Sequence, residues 1–312
     1  MYKGHRIAVV IPAYNEARHI AGVIGALPGY VDDVVVVDDA SSDGTAEAAA
    51  ACADPRVAVL RTERNEGVGG ATIRGYRKAL EFGGDLVVVK MDGDGQMSAE
   101  HLPLLLDAVV EQGYDYAKGN RFLTGGSLRL MPRHRLFGNI VLTFINKLAS
   151  GYWHIFDPQN GYTAISGDAL RALDFRHLHR RYFFENDMLI ALNFNNARVR
   201  DVAIPARYGD EVSGLNPFKV GVTFPLLFLP RLWRRIYHKY VLRDFSPIAL
   251  FLFLGLLLFV WGVGFGAYHW AKSIATGAAT PTGTIMLSVL PLILGFQLIL
   301  QAIVLDIQES PK

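Results

Sequence analysis

The chain has 312 residues, enough for one large domain or two ordinary ones, and its formal net charge is only +2. This balance gives no reason to expect a nucleic-acid partner, and the single cysteine, Cys52, excludes an internal disulfide framework. Hydrophobic residues make up 51% of the chain, and their excess is concentrated near the C-terminus.

The N-terminal part alternates apolar runs with segments of helical pattern. The runs are RIAVVIPAYNE, VDDVVVVDDASSDGT, RVAVLRTERNEG and GGDLVVVKMDGDG, and helices are predicted over residues 17–27, 45–53 and 71–82. Continuous Val and Ile runs that alternate with helices predict an α/β fold with a parallel sheet covered on both faces. The sequence contains neither a G-x-G-x-x-G after the first strand nor a P-loop lysine motif, so both of those nucleotide-binding folds are rejected.

Polar residues gather where the predicted strands end. Ligands of parallel α/β sheets bind at the carboxyl ends of the strands, so we expect a site there. The clusters are Tyr14, Asn15 and Glu16; Asp38 and Asp39; Asn65, Glu66 and Gly67; and residues 92–96.

In the last cluster, Asp92, Asp94 and Gln96 occupy alternate positions after a buried run. An EF-hand loop starting at Asp92 would need glycine sixth and glutamate twelfth, but the chain has Met97 and Pro103 there. Two interpretations remain. A polar turn would need no more than the two Asp-Gly pairs. Alternatively, side chains at every second position face one way, and three oxygen ligands suit Mg²⁺ or Mn²⁺ bridging phosphates.

Further along, RLWRRIYHKYVLR has the pattern of a basic amphipathic helix. Leu232, Trp233, Ile236, Tyr237, Tyr240 and Val241 are predicted on one face, and Arg231, Arg234, Arg235, His238 and Lys239 on the other. Such a helix is predicted to lie in the headgroup plane of a lipid bilayer.

Two stretches without Asp, Glu, Lys or Arg follow, over residues 245–268 and 273–305. Each is long enough to cross a hydrocarbon core of ~30 Å as a helix. Basic residues precede the first stretch, whereas the connection contains only Lys272. This asymmetry predicts a multi-pass protein of the cytoplasmic (inner) membrane, with the N-terminal region and both termini in the cytoplasm. The short N-terminal apolar run enters a turn, so no signal peptide is expected.

Eight motifs carry a resemblance to a known family. VVIPAYNE, VVVVDDASSDGT, NEGVGGATIRG and MDGDGQMSAEHLP resemble the nucleotide-sugar half of a glycosyltransferase family 2 enzyme with the GT-A fold. GNRF, RHRLFGN, DPQNGYTAIS and YFFENDML resemble the acceptor half of its polyprenyl-phosphate branch, which includes dolichyl-phosphate mannose synthases and undecaprenyl-phosphate sugar transferases. The motifs run in order through roughly the first two-thirds of the chain.

The resemblance implies an architecture and a reaction. A Rossmann-like GT-A domain with a mostly parallel sheet would occupy residues 1–215, followed by amphipathic juxtamembrane helices over 216–244, a transmembrane hairpin over 245–306 and a cytoplasmic tail over 307–312. The implied reaction is inverting, metal-dependent transfer of a sugar from a UDP- or GDP-linked donor to a polyprenyl phosphate. The lipid bilayer is an expected partner, and the oligomeric state, homo-oligomer included, is left open.

By the same resemblance, individual residues have expected roles on the donor side. Asp39 would accept a hydrogen bond from the base, with an ordinary helix cap as its alternative. Asp92 and Asp94 would hold Mg²⁺ or Mn²⁺ on the diphosphate, with Gln96 as a further ligand or orienting group. The remaining donor residues are Pro12, Ala13, Tyr14 and Glu16, which would line the base and ribose, together with Asn65 and Gly67.

On the acceptor side, Arg121 and Arg135 match positions that would hold the acceptor and leaving phosphates. The loop with Asp210, Glu211 and Ser213 resembles one that closes near donor and membrane.

Whether the reaction needs a general base depends on whether the acceptor nucleophile is a phosphate or a hydroxyl group. A polyprenyl phosphate is already anionic and needs none, whereas a hydroxyl acceptor would need one, with Glu185 or Asp187 as the candidate. Asn186 separates these two acids, so we expect them to orient arginines or the sugar instead. The rival hypotheses are a family 2 transferase to a hydroxyl acceptor, a nucleotidyltransferase, and a non-catalytic membrane accessory protein.

Overall fold

The computed structural model describes residues 1–123, 133–205, 217–243 and 245–311, without the side chains of residues 133–137, 139 and 217–222. The chain divides into two units, Met1–Arg231 and Leu232–Ser310. The predicted domain boundary after residue 215 lies outside the described residues, as does that after residue 244, so both stay predictions.

A seven-stranded sheet in the order β3-β2-β1-β4-β6-β5-β7 is the centre of the first unit. The first four strands are parallel, β6 is antiparallel to β4 and β5, and β7 pairs parallel with β5. The predicted mostly parallel sheet is therefore confirmed, and β5 to β7 extend it beyond the predicted strands. The strands are β1 (Arg6–Ala13), β2 (Asp33–Asp38), β3 (Val57–Arg61), β4 (Leu86–Lys90), β5 (Tyr116–Asn120), β6 (Thr163–Ser166) and β7 (Val199–Ala203).

Helices cover both faces of this sheet. In β1, Ile7 and Val9 belong to one buried apolar cluster, whereas Ala8 and Val10 belong to another. Successive side chains of a strand point to opposite faces, so the two clusters are the two cores of a doubly covered sheet. The helices of this unit are α1 (Ile20–Gly25), α2 (Thr45–Ala50), α3 (Val68–Leu80), α4 (Leu102–Val110), α5 (Arg133–Ser150), α6 (Gly167–Arg171) and α7 (Phe184–Phe194); α8 (Pro217–Tyr237) begins in it.

Two helices begin elsewhere than predicted. In α1, residues 17–19 form a turn, because the Ala17 amide donates to the Asp43 carboxylate at 3.0 Å. The third helix starts at Val68, three residues earlier than the pattern indicates, directly after Gly67 with its positive φ of 85°. Glycine usually disfavours helix, but the missing side chain of Gly67 lets another segment of the chain approach the first turn of α3.

Backbone hydrogen bonds bring three strand ends together. The Asp39 amide donates to the Ala13 carbonyl at 2.9 Å, and the Gly93 amide donates to the Pro12 carbonyl at 3.3 Å. The residues that follow β1, β2 and β4 therefore lie side by side at one edge of the sheet, as the parallel arrangement predicts.

The second unit contains two long apolar helices, α9 (Pro247–Thr276) and α10 (Thr282–Gln308). Their lengths of 30 and 27 residues and their composition are sufficient to cross a membrane. The hydroxyl of Ser246 caps α9 by accepting from the Ile248 amide, and Gly277 ends the helix in the left-handed conformation.

The two apolar helices contact closely through glycine. A Cβ atom on Gly262 would lie 2.7 Å from the Leu292 amide nitrogen and 2.8 Å from the Ser288 carbonyl oxygen. The Ser288 hydroxyl donates to the Gly262 carbonyl at 2.9 Å. Small residues and serine hydroxyls are the means by which helices approach one another in lipid.

The predicted faces of the juxtamembrane helix are wrong for Arg235. Its guanidinium is buried and donates to both oxygens of Asp306, at 2.7 and 3.1 Å. The Tyr240 hydroxyl donates to the same carboxylate. The local charge pattern places Arg235 with the other basic residues, whereas a carboxylate 71 positions further along the chain provides its partner. The location of this helix in the headgroup plane stays a prediction.

Gly262→Ala is expected to destabilise the hairpin by about 1–3 kcal/mol. The added methyl group would clash with backbone atoms of the other helix, which cannot move aside as a flexible side chain can. Thermal unfolding in detergent measures this. Gly264→Ala is the matched control, since nothing lies within 4 Å of a Cβ at that position of the same helix. Equal unfolding temperatures for the two variants would contradict the close contact.

Candidate active site

A cleft of about 500 Å³ opens at the carboxyl edge of the sheet. Its volume lies within the usual range for small-molecule sites. Except for Gln96, the residues predicted for the donor side line it: Pro12, Ala13, Tyr14, Glu16, Asp39, Asn65, Gly67, Asp92 and Asp94. Two residues that sequence reasoning did not assign, Arg181 and Tyr182, also line it.

Side-chain hydrogen bonds fix the loop after β1. The Asn15 amide donates to the Ser41 hydroxyl at 2.9 Å, and the Asn15 side chain accepts from the Ser42 amide at 3.0 Å. The Glu16 amide donates to the Thr45 hydroxyl at 2.9 Å. The loops after β1 and β2 therefore hold each other, and Tyr14 is left exposed at the cleft.

Asp39 organises the wall of this cleft. Its buried carboxylate accepts hydrogen bonds from the Glu66 and Gly67 amides at 2.8 and 2.7 Å, which ties β2 to the turn before α3. The helix-cap alternative is wrong, because α2 is preceded by Gly44 and the Thr45 amide donates to Asp43. The contact of Asp39 with a base stays a prediction.

The carboxylates of Asp92 and Asp94 lie at the boundary of two cavities. Both line the large cleft, and both also line a smaller cavity of about 170 Å³ that contains Gln96 and Arg121. Within the loop, Asp94 accepts from the Gln96 amide at 2.9 Å, and Gly95 adopts a positive φ of 76°.

The chemistry of these ligands fits a divalent cation shared with a ligand. Among the described residues, no group of three or more His, Cys, Asp or Glu forms a metal cage by itself. Two carboxylates and one amide oxygen are hard ligands that leave positions open for phosphate oxygens, as Mg²⁺ and Mn²⁺ require. The donor set of Asp92, Asp94 and Gln96 is chemically compatible with such an ion, and its metal role stays a prediction beside the polar turn.

Lys90, the last residue of β4, lies between two carboxylates. Its buried ammonium group is 2.7 Å from Asp92 Oδ1 and 3.3 Å from Glu185 Oε1. Burial alone would lower the pKa of Lys90, but Asp92 and Glu185 raise it above the ordinary value, so the lysine is charged. Sequence reasoning missed this residue, although a lysine in an otherwise apolar run is a visible signal.

Burial raises the pKa of Glu185, although Lys90 opposes this shift. Asp187 accepts from the His179 amide at 2.8 Å and from both Nε and Nη2 of Arg231, the latter at 2.9 Å. Neither acid lines the large cleft or the smaller cavity. Asp187 thus holds an arginine, whereas Glu185 holds a lysine.

Arg121 lines the smaller cavity in a fixed orientation. Its Nε and Nη2 donate to the two carboxylate oxygens of Asp157 at 2.8 and 3.0 Å. Lys118 Nζ donates to the Asp157 carbonyl. Burial alone would raise the pKa of Asp157, but Lys118 and Arg121 hold it below its ordinary value, so this buried carboxylate is ionised. Asp157 belongs to the DPQN motif, and its contact with Arg121 is not predicted from the sequence.

Four of the predicted residues lie wholly or partly outside the part of the chain that the structure describes. The side chain of Arg135 lies outside the described residues, although its backbone belongs to α5. Asp210, Glu211 and Ser213 also lie outside them.

Replacing Lys90 by methionine leaves Asp92 and Glu185 without their buried counter-charge, so we expect a loss of about 3–5 kcal/mol in the free energy of unfolding. Adding Glu185→Gln removes one of the two acids and is expected to restore part of that loss. A double-mutant cycle of unfolding midpoints measures the coupling. Strict additivity of the two changes would contradict the ion pair.

Residues 8–174, more than half of the chain, match the family described as Glycosyl transferase family 2. An undecaprenyl-phosphate mannosyltransferase of Micrococcus luteus is 36% identical over 224 residues, which cover 70% of this chain and 89% of that protein. A UDP-N-acetylglucosamine–dolichyl-phosphate N-acetylglucosaminyltransferase of Methanococcus voltae is 31% identical over 217 residues, covering 65% and 86%.

Among solved structures, glucosyl-3-phosphoglycerate synthase from Mycobacterium tuberculosis, in complex with Mn²⁺, UDP and glucosyl-3-phosphoglycerate, has a TM-score of 0.53. At 22% identity, over 74% of this chain and 80% of that one, the likeness shows the fold alone. The family match and the sequence relatives establish more: this chain belongs to glycosyltransferase family 2 and is a glycosyltransferase, with polyprenyl-phosphate sugar transferases among its relatives.

Proposed function

We propose that this protein transfers a sugar, with inversion, from a nucleoside-diphosphate sugar to a polyprenyl phosphate with the help of Mg²⁺ or Mn²⁺. One observation carries the proposal. Asp92 and Asp94 line both the cleft that contains the predicted donor residues other than Gln96 and the smaller cavity that contains Gln96 and Arg121. The acidic loop therefore lies where a donor diphosphate and an acceptor phosphate would have to meet.

In this proposal the large cleft takes the UDP- or GDP-linked donor. Asp92, Asp94 and Gln96 would hold the divalent ion, which when bound neutralises charge on the departing diphosphate. The ion pair with Lys90 uses one oxygen of Asp92 and fixes the orientation of the carboxylate. The mutually bonded loops after β1 and β2 would hold the nucleoside end.

The smaller cavity takes the acceptor phosphate, with Arg121 as its cation. Asp157 presents the Arg121 guanidinium in one orientation, so little side-chain entropy would be lost on binding. A phosphate nucleophile needs no general base, and Glu185 and Asp187 are held in ion pairs and line neither cavity. Positioning and charge stabilisation would then supply most of the rate, and in-line attack would invert the anomeric configuration.

The long apolar helices α9 and α10 serve, in this proposal, as a membrane anchor. The basic residues before α9 support an orientation in which the catalytic unit and both termini would lie in the cytoplasm, at the inner membrane. A membrane-bound enzyme suits the acceptor, because a polyprenyl chain remains in the bilayer. Relatives named for undecaprenyl phosphate and dolichyl phosphate support an acceptor of this class.

Purified protein with undecaprenyl phosphate, Mn²⁺ and a panel of UDP- and GDP-sugars is expected to produce a polyprenyl monophosphate sugar, identified by the mass of the lipid. Excess EDTA should abolish the product, and Asp94→Asn should reduce it about 100-fold or more. Asp168→Asn is the control, since this exposed acid lines neither cavity and, among the residues that the structure describes, forms its ion pair with Arg171 alone.

Two outcomes would contradict this proposal. Undiminished transfer in EDTA would remove the metal role, and release of pyrophosphate from a nucleoside triphosphate would indicate a nucleotidyltransferase.

The role of Arg121 gives a second prediction. Asp157→Asn is expected to raise the KM for undecaprenyl phosphate about tenfold and the KM for the donor much less, since the orienting charge on Arg121 is lost. Steady-state kinetics with each substrate varied in turn provide the measurement. Asp174→Asn is the control, because Asp174 holds Arg176 in a similar two-bond pair away from both cavities. A rise confined to the KM for the donor would contradict the proposed contact of Arg121 with the acceptor phosphate.

A further inference from the structure

The segment before α7 lies directly on the first turn of α3. The Gly70 amide donates to the Arg180 carbonyl at 2.8 Å. A Cβ atom on Gly67 would lie 2.7 Å from that carbonyl oxygen and 2.8 Å from Arg181 Cγ. The glycines of NEGVGG therefore make room for this segment and fix the place of Arg181 beside the cleft.

Neighbouring arginines in this segment have different surroundings. Arg180 is 3.3 Å from the Glu66 carboxylate and lines a separate groove beside Arg74 and Arg77. Arg181 lines the donor cleft together with Asp92 and Asp94. Within the described part of the chain, its exposed guanidinium has neither an ion-pair partner nor a side-chain hydrogen bond.

The charges that line the cleft make this arrangement unusual. Glu16, Asp39, Asp92 and Asp94 contribute four carboxylates, and Arg181 is the only Lys or Arg among the described lining residues. An arginine that pairs with none of these acids is available for an anionic ligand, and guanidinium groups bind phosphate oxygens in a bidentate fashion.

We infer that Arg181 binds the diphosphate of the donor, from a different element than the acidic loop after β4. This inference rests on the proposed nucleoside-diphosphate donor. Because the guanidinium charge is permanent, Arg181 supplies a part of the diphosphate affinity that does not require the divalent ion. A nucleoside without phosphates does not receive this contribution.

The test is equilibrium binding of UDP and GDP to the purified full-length chain in detergent, with Mn²⁺ and with EDTA. Arg181→Ala is expected to weaken binding of the better nucleotide about tenfold or more in both conditions, and Arg181→Lys by less. Binding of the matching nucleoside, uridine or guanosine, is expected to change less than about twofold. Arg180→Ala is the matched control. Its nucleotide affinity is expected to stay within about twofold of that of the protein without substitutions.

The outcomes separate the inference from the proposed function. If the unchanged chain binds neither UDP nor GDP, the donor proposal fails. If it binds one of them and Arg181→Ala binds it equally well, the inference alone is overturned. It is overturned as well if Arg180→Ala weakens binding to the same extent, or if nucleoside binding falls in parallel. Thermal unfolding of each variant confirms that the compared chains are folded.

Discussion

The contact between Lys90 and two carboxylates is the interaction on which the site depends. Three charged groups converge at the end of β4: Asp92 from the acidic loop, Glu185 from α7 and the ammonium group between them. Without the lysine, two acids would face each other in a medium of low polarity, where one would have to accept a proton or withdraw. The ion pair thus lets the chain place the Asp92 carboxylate in the lining of the cleft beside a compensating positive charge.

The same principle recurs around the cleft with other partners. Asp39 binds backbone amides of the turn before α3, and Asp157 binds Arg121. In each case a buried carboxylate accepts hydrogen bonds from groups in a distant part of the chain. Asp39 thereby orients a wall of the large cleft, and Asp157 orients the Arg121 guanidinium in the smaller cavity. The result is a site whose polar groups hold their positions before any ligand arrives.

The sequence alone predicts those features that depend on local pattern. Continuous Val and Ile runs predict the parallel sheet, and the polar residues after each run predict the cleft, since parallel strands bring their carboxyl ends to one edge. Family resemblance adds the expected role of the acidic loop, which stays a prediction. Lys90 interrupts an apolar run and is visible in the sequence, but its second partner, Glu185, lies far away along the chain, as does Arg121, the partner of Asp157. The place of Arg181 at the cleft follows only from the surrounding cavity. Arg235 is mispredicted because its partner lies far away along the chain, and the glycines at the start of α3 provide space for a distant segment, which the local pattern does not reveal.

The pairing of Arg235 with Asp306 has a consequence for biosynthesis. A ribosome completes Arg235 long before the far end of the hairpin exists, so the guanidinium must stay hydrated while α9 and most of α10 are made. Only when the last turn of α10 emerges can the arginine leave water without an unbalanced charge. This buried ion pair can therefore form only after both apolar helices have been synthesised almost in full.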